Sequence, residues 1–489
     1  MARDNAAPPN ILLVTLDQFR ADCLSCAGHP VVQTPALDHL AANGVRLARH
    51  YSQAAPCSPG RAALYTGTYQ MNNRVVANGT PLDARFDNIA HAARRAGYAP
   101  ALFGYTDQGV DPRLVSDPAD PRLSTYEGVL PGFDAVLDMG GWQLPWLQWL
   151  NRHGYDFADP VAALRLEHER PVELSTSTFL TNAFLEWLGD QHGPWFAHLS
   201  HLRPHPPYSA AGEFATMYDP AQCPPPLPIP ENRHRLVDAM LNSPAAAPTD
   251  AAEVAQMRAQ YFGMISEVDA QLARVWAALA ERGEWDNTVI VVTSDHGDQL
   301  GDQGLIQKAG FYESSYAILG IVRDPRFETV GVIDEFTENV DIMPTLCDAM
   351  GIDVPSQCDG LPLTPFLHGD RPAIWRDAAY YEWDWRDVFI PHGDHPWPWD
   401  RRLERQNLAV RRSRDRAFVH FGDGSWRCFD LAADPTWQTE VADAAIVLAE
   451  AAAMLSWRSR NLDRTMTGML LQDGGIGRRP ASPTMSAVS

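Results

Sequence analysis

Four short apolar runs in this chain each end in side chains that can bind a cation or move a proton. Ile11–Leu16 runs into Asp17 and Gln18, Pro100–Phe103 into Tyr105, Thr106 and Asp107, Trp195–Leu199 into Arg203 and His205, and Thr288–Thr293 into Asp295 and His296. A single strand-end acid is usually a turn former. Four polar strand ends point instead to one cleft, because ligands of parallel α/β sheets bind beyond the carboxyl ends of the strands. The carboxylates of Asp17 and Asp295, the Gln18 amide and a His296 nitrogen suit one divalent cation, calcium, manganese or magnesium rather than zinc. A fifth segment, Cys57-Ser58-Pro59-Gly60-Arg61, adds a nucleophile. Pro59 is set to open a helix and Gly67 to end it. Cys57 then sits at a helix N-terminus, where free backbone N–H groups favour an anion, with Arg61 on the same face. A thiol so placed is expected to have a lowered pKa. Finally, Lys308 is the only lysine in the chain. It supplies the one compact ammonium in an arginine-rich composition.

Holding these residues together requires a large sheet. The 489 residues, 45% of them hydrophobic, suit a packed globular chain with one large domain and a lesser one. From Asn10 to about Asp370 strands, loops and helices alternate, which predicts an α/β domain over 8–370. Amphipathic helices are expected over Thr34–Ala42, capped by Thr34, and over Ala251–Glu281. Asp107–Pro171 reads as a loop-rich insertion holding Trp142, Trp146 and Trp149, and Cys223–Pro230 as a stiff proline-rich loop. Beyond Arg371 short extended runs (Ala378–Trp383, Leu408–Arg411, Ala417–His420, Trp426–Leu431) and a helix around Val441–Arg458 predict a small antiparallel α+β subdomain over 371–462. Residues 463–489 are expected to form an arm and, from Gly474, a disordered tail.

The 61 acidic residues against 39 basic ones give a net charge of −22, which argues against nucleic-acid and anionic-membrane partners. MARDNAAPPN lacks the features of a secretory leader, and the first apolar run is too short to span a bilayer. With seven cysteines, an odd number, this predicts reduced thiols in a cytoplasmic protein. Cys23 and Cys26 lack a partner pair at zinc spacing and read as buried side chains. Pro391–Trp397, with His392 and His395, reads as a rigid surface loop, and the run Arg411, Arg412, Arg414, Arg416 as a solvated face.

Cys-x-Pro-x-Arg followed by a small apolar run and Thr-Gly resembles the maturation motif of the formylglycine-dependent sulfatases, within the alkaline phosphatase superfamily. NILLVTLDQFRAD, TPALDHLAANGVRL, LRPHPPY, TSDHGDQLGDQGLIQK, VDIMPTLCDAMGI and FDLAADP extend the resemblance over most of the chain. Asp17 paired with Gln18, GYTDQGVDPR, and YYEWDWRDVF from Tyr380 make it similar to the phosphonate monoester hydrolase/arylsulfatase group. The resemblance implies a large, mostly parallel sheet flanked by helices. It also implies a cytosolic homo-oligomer that hydrolyses small anionic esters: aryl sulfates, phosphonate monoesters and phosphodiesters. Cys57 resembles the cysteine that a maturation enzyme oxidises to formylglycine (3-oxoalanine), whose hydrate attacks sulfur or phosphorus. Asp17, Gln18, Asp295 and His296, with the modified Cys57, resemble the metal ligands, and Arg61 the residue that steadies them. Asn78, Tyr105, His205 and Lys308 resemble contacts to the substrate oxyanion and leaving group, His205 as a proton donor.

Two positions depart from the family pattern. Gln18 stands where typical sulfatases have a second aspartate. Asp107 places a carboxyl in a segment that is often cationic or neutral, where it would repel a doubly charged monoester. A metal-dependent phosphodiesterase that keeps Cys57 as a thiol, and a non-catalytic binding protein on the same fold, are the alternative readings.

Overall fold

A computed structural model describes residues 8–308, 310–386, 405–462 and 469–478, and for 141, 142, 469–472, 477 and 478 the backbone only. The strands in chain order are β1 Asn10–Leu16, β2 Val45–Tyr51, β3 Pro100–Gly104, β4 Asp134–Asp138, β5 Phe196–His201, β6 Thr288–Thr293, β7 Gly320–Arg323 and β8 Gly331–Glu338. They form one eight-stranded sheet in the order β4-β3-β5-β1-β6-β7-β2-β8. β7 pairs antiparallel with both neighbours and every other pairing is parallel. The four strands whose ends carry the chemistry are therefore adjacent, as β3-β5-β1-β6. Leu16 lies opposite His201, and Thr15 opposite Thr293, so these strands run out at one level.

Every residue of β1, β5 and β6 is buried, as expected for parallel strands covered on both faces. Their side chains alternate between two cores. Leu12, Val14, Leu199 and Val292 pack with Phe262, Ile265 and Leu272 of the long helix Ala251–Glu281. Ile11, Leu13, Phe196 and Val291 pack with Ala62, Leu64 and Tyr65 of the helix Cys57–Thr66. That second helix starts at Cys57 itself, two residues before Pro59, and ends at Gly67, whose φ of 67° is left-handed. Gly60 is required for a different reason. A Cβ there would lie 2.4 Å from the Asp295 carbonyl oxygen, so only glycine lets the helix tip sit against the end of β6.

Local expectations shift where tertiary contacts intervene. Thr34 precedes the helix Pro35–Ala42, but its side chain does not cap it. The free N–H groups of Ala36 and Leu37 go instead to the carboxylate of Asp269 at 2.9 and 2.8 Å. The Asp107–Pro171 insertion is more ordered than its composition predicts. It contains β4 and the helices Gly140–Arg152 and Pro160–Arg165. Trp146 is wholly buried and donates to the Leu174 carbonyl, Trp149 is half-buried, and the Trp142 side chain lies outside the described residues.

β9 Ala378–Asp384, β10 Asn407–Ser413, β11 Arg416–Phe421 and β12 Trp426–Asp430 form the expected antiparallel sheet. Its core is continuous with the larger domain, since Tyr381, Trp383 and Val410 cluster with Tyr51, Phe311 and Phe336. The last helix runs Ala444–Asn461, three residues later than expected at both ends, because Asp443 caps it. Part of the expected disordered tail is ordered: β13 Met469–Gln472 and β14 Gly475–Arg478 form a hairpin. Of the arginine run, only Arg414 lies on the expected solvated face. Arg411 is buried against Asp377 and Glu450, and Arg412, Arg414 and Arg416 pair with Glu313, Asp334 and Asp430. Pro391–Trp397 lies outside the described residues. Cys23 is buried as expected, whereas Cys26 is exposed.

Candidate active site

Arg61 is the centre of the site. It leaves the second turn of the Cys57–Thr66 helix fully buried and touches all four neighbouring strand ends. Its Nη2 donates to Asp17 Oδ2 at 3.0 Å and its Nε to Asp295 Oδ2 at 3.1 Å. Its Nη1 donates to the Tyr105 carbonyl at 3.0 Å and to Ser200 Oγ at 2.9 Å. Asp107 Oδ2 lies 3.4 Å from Nε, and the Tyr105 ring lies under the guanidinium at 4.4 Å. Only a planar five-donor group reaches so many partners from one position.

Around this cation, Asp17, Cys57, Asp295 and His296 each offer a ligand atom, all within 4.8 Å of one another and all buried. Two features of the chain's own atoms fit a divalent cation here. Asp17 Oδ1 is buried without a hydrogen-bond partner, which is costly for a carboxylate oxygen unless something positive meets it. His296 Nδ1 lies 3.0 Å from the Gly297 carbonyl, so it carries the proton and leaves the Nε2 lone pair facing the Cys57 sulfur at 3.3 Å. Metal-binding histidines are oriented in this way, with the second nitrogen donating to a carbonyl. Gln18 lies beside this set, with its side-chain oxygen turned to Lys308. Its amide nitrogen donates to Asp298 Oδ2, which turns Oε1 toward the Lys308 ammonium at 3.1 Å. The backbone of Gln18 is left-handed, at φ 69°, and is held by its N–H on Asp295 Oδ1 and its carbonyl under Tyr261 OH. A strained non-glycine conformation fixed from three sides is characteristic of functional positions.

The electrostatics correct two expectations. Burial, reinforced by Asp17, Asp295 and Asp107, pushes the Cys57 thiol well up despite Lys308, so the helix tip does not give a low-pKa thiolate. His205 is not a ready proton donor. Burial, then Lys308, brings its pKa down to about 3, and its Nδ1 faces the Pro206 carbonyl at 2.6 Å. Its Nε2 therefore accepts from Lys308 Nζ at 3.0 Å, and the mobile proton of the pair resides on the lysine. Burial opposes the Lys308 charge, but Cys57, Asp17 and Asp295 outweigh it and raise its pKa. Asp17 is held well below the usual carboxylate range: burial works upward, but His205, Arg61, His296 and Lys308 together prevail.

A recess opens over Asp17 and Cys57, lined also by Tyr105, Asp107, Tyr126, Glu127, Gln143, Leu202 and His205. Tyr105 reaches Asp17 Oδ2 through its hydroxyl at 2.6 Å. Asp107, left-handed at φ 51°, is pushed up to about 8 by burial, with Asp17, Glu127 and Asp295 adding to the shift and Arg61 opposing it. The expected repulsion of dianions therefore depends on ionising a carboxyl whose neutral form is favoured at pH 7. Asn78 does not line this recess; its Oδ1 accepts the Ser58 N–H of the helix tip at 2.9 Å, and its side chain bonds Tyr126. Arg203 lies outside the site as well, wrapped by Glu167 and by the His205, Pro207 and Ser209 carbonyls, so that it shapes the loop carrying His205. Sequence reasoning missed Asp298, although it belongs to the same Ser294–Asp298 run. It also missed Tyr126, Glu127 and Gln143, whose segments carry no strand-end or motif signal.

Buried acids, a histidine lone pair and a cysteine at a helix tip, arranged at the carboxyl ends of a mostly parallel sheet, form a hydrolase class of site with a cluster that could hold a metal ion. The sulfatase family profile matches residues 9–352, and a second profile, N-sulphoglucosamine sulphohydrolase, C-terminal, matches 301–456. The chain belongs to the sulfatase family and is an ester hydrolase. It is 36% identical to the multifunctional alkaline phosphatase superfamily protein PehA of Trinickia caryophylli, over 96% of this chain and 99% of that one. An arylsulfatase of Clostridium perfringens is 28% identical over 87% of this chain and 89% of its own. The crystal structure of a phosphonate monoester hydrolase of Agrobacterium radiobacter superposes with a TM-score of 0.87 at 41% identity, covering 96% of this chain and 99% of that chain.

Two outcomes follow from the geometry. Arg61→Ala leaves buried carboxylates uncompensated and is expected to lower stability by about 3–5 kcal/mol in urea unfolding, with Arg61→Lys recovering only part. For Asp107 the folded value, about 8, lies above the ordinary 3.8, so the folded state keeps a proton that the unfolded state loses. In cation-stripped protein, the stability of the wild type relative to Asp107→Asn should therefore fall as pH rises from about 4 to about 8 and level off above that. Urea midpoints measured across this range check it.

Proposed function

We propose that this protein hydrolyses sulfate monoesters and, with overlapping preference, phosphonate monoesters and phosphodiesters, at a site holding one divalent cation and a formylglycine derived from Cys57. The observation that carries the reading is the place of the Cys57 sulfur: at a helix tip, 3.3 Å from His296 Nε2 and inside the Asp17–Asp295–His296 cluster. The names of the relatives, an arylsulfatase and a phosphonate monoester hydrolase, support the same range of esters. When present, the cation supplies Lewis-acid charge and the hydrated aldehyde an oxygen nucleophile. Asp17, Gln18, Asp295 and His296 would hold the cation, of which calcium or manganese fits the oxygen-rich set best and magnesium remains an option. Arg61 keeps both acids in place. Lys308 aims its ammonium at the space between Gln18 and His205, where it meets an ester oxyanion and holds a proton for the departing group.

All ten residues of the Cys57–Thr66 helix are buried, so a formylglycine-generating enzyme must reach Cys57 before this helix packs. Seven free cysteines support a cytoplasmic location. Leu448 and Leu455, 70% and 66% exposed on the last helix, support a homo-oligomer. No helix among the described residues is long and apolar enough to cross a membrane.

A panel of nitrophenyl esters tests the substrate range. The sulfate, the phosphonate monoester and the phosphodiester should all be turned over faster than the phosphate monoester, and a phosphate monoester hydrolysed fastest overturns the assignment. Cys57→Ala should lose roughly 10³-fold or more in kcat, as for loss of a nucleophile. Peptide mass spectrometry of active enzyme should show residue 57 lighter than cysteine; an unmodified thiol in fully active protein refutes the formylglycine. Separately, calcium or manganese added to chelator-treated protein should raise Tm, because a ligand bound only by the native state stabilises it. The shift should disappear in Asp17→Asn and Asp295→Asn.

A further inference from the structure

A second cavity, of about 420 Å³, lies between the turn after β1, the strand β2 and the turn that follows β12. It shares no lining residue with the recess over Cys57. Four guanidinium groups line it, Arg20, Arg46, Arg49 and Arg412, against two carboxylates, Asp22 and Glu313. In a chain of net charge −22 this is a local reversal of sign. Three of the cations already face acids: Arg20 meets Asp22 and Asp302, Arg49 meets Asp334, and Arg412 meets Glu313. Arg46 does not. Val45 and Leu47 of β2 enter the core, which turns Arg46 to the other face of the sheet, half-buried and without an acid partner among the described residues. Arg412 bonds Glu313 through Nε and the Ser413 carbonyl through Nη1, which leaves its Nη2 without an acceptor among the described residues.

Two buried polar atoms on the same walls have no partner. Gln303, 1% exposed, has an unbonded Oε1, and Trp437, 2% exposed, an unbonded Nε1. Such atoms are rare in protein interiors, because each has given up water without a replacement. Both residues also hold left-handed backbone, at φ 52° and 66°, a costly conformation that Gln18 and Asp107 share at the reacting centre. The chemistry of these groups selects a ligand. Guanidinium groups pair with the oxygens of a phosphate through short, charge-assisted hydrogen bonds. The Gln303 oxygen calls for a hydroxyl, and the Trp437 N–H for an acceptor. A lone oxyanion would leave most of the cavity to water, and a neutral sugar would leave Arg46 unmet. We propose that this cavity is a second ligand site, separate from the reacting centre, for a phosphate monoester with a hydroxylated body. Its phosphate rests on Arg46 and Arg412, and a hydroxyl donates to Gln303. The site stands independently of which ester is hydrolysed over Cys57.

The test is calorimetry with four probes: glucose 6-phosphate, glucose, inorganic phosphate, and cyclohexylmethyl phosphate, which matches the first in charge and shape but has no hydroxyl. Wild-type protein should bind glucose 6-phosphate about tenfold or more tighter than each of the other three. Arg46→Gln should weaken that binding about tenfold or more and leave kcat/KM for a nitrophenyl sulfate within about twofold, since the two sites are separate. Gln303→Met removes the acceptor at similar volume and should narrow the gap between glucose 6-phosphate and cyclohexylmethyl phosphate. Lys308→Met, which alters the reacting centre, should leave the affinity for glucose 6-phosphate unchanged. An affinity lost in Lys308→Met and kept in Arg46→Gln places the phosphate over Cys57 and refutes the inference. Wild-type protein that binds glucose 6-phosphate no tighter than glucose or inorganic phosphate also overturns it, whether or not any variant folds.

Discussion

One buried guanidinium ties the sheet to the chemistry. Arg61 donates to groups at the ends of β1, β3, β5 and β6, and its helix enters the fold against the end of β6, where Gly60 leaves no room for a side chain. The same cation balances Asp17 and Asp295, which otherwise repel each other in a space that excludes water. Breaking such a buried arrangement exposes the full desolvation penalty of the partners left behind. Position and charge are therefore set by the same contact.

Proton placement follows from backbone carbonyls rather than from the acids. The Gly297 and Pro206 carbonyls each take the Nδ1 proton of a histidine, so the Nε2 lone pairs of His296 and His205 point inward. One faces the cysteine and the carboxylates, the other a lysine. A histidine at a strand end reads in sequence as an acid or a ligand without distinction. Here the tautomer separates the two, leaving the His296 lone pair turned to Cys57 and His205 as the acceptor for the Lys308 ammonium. The thiol shows the same dependence on surroundings. A helix N-terminus alone lowers its pKa, but three nearby carboxyls and complete burial prevail.

Much of the fold was legible because parallel strands buried on both faces must be continuous apolar runs, and the segments around β1, β3, β5 and β6 have that form. The long helix Ala251–Glu281 was equally clear from its periodicity, and the site residues at the strand ends followed from the rule that such ends converge. Caps and insertions were less legible. The helix after Thr34 takes its cap from Asp269, more than two hundred residues away, and no local pattern announces that. Helix Gly140–Arg152 reads as loop because Pro145 and two glycines open it, yet packing of Trp146 holds it in place.

By itself the sequence determined which groups gather at the strand ends: Asp17, Gln18, Cys57, Arg61, Asp295, His296 and Lys308 lie together there. It did so because covalent spacing puts each one at the edge of an element with a strong local signature. The tertiary structure alone decided how those groups are charged and what stands opposite them. The raised Cys57 and Asp107 values, the neutral His205, and the wall of Tyr126, Glu127 and Gln143 all arise from atoms distant in the chain. Desolvation and Coulomb interaction depend on distances through space, which a linear order of residues does not contain.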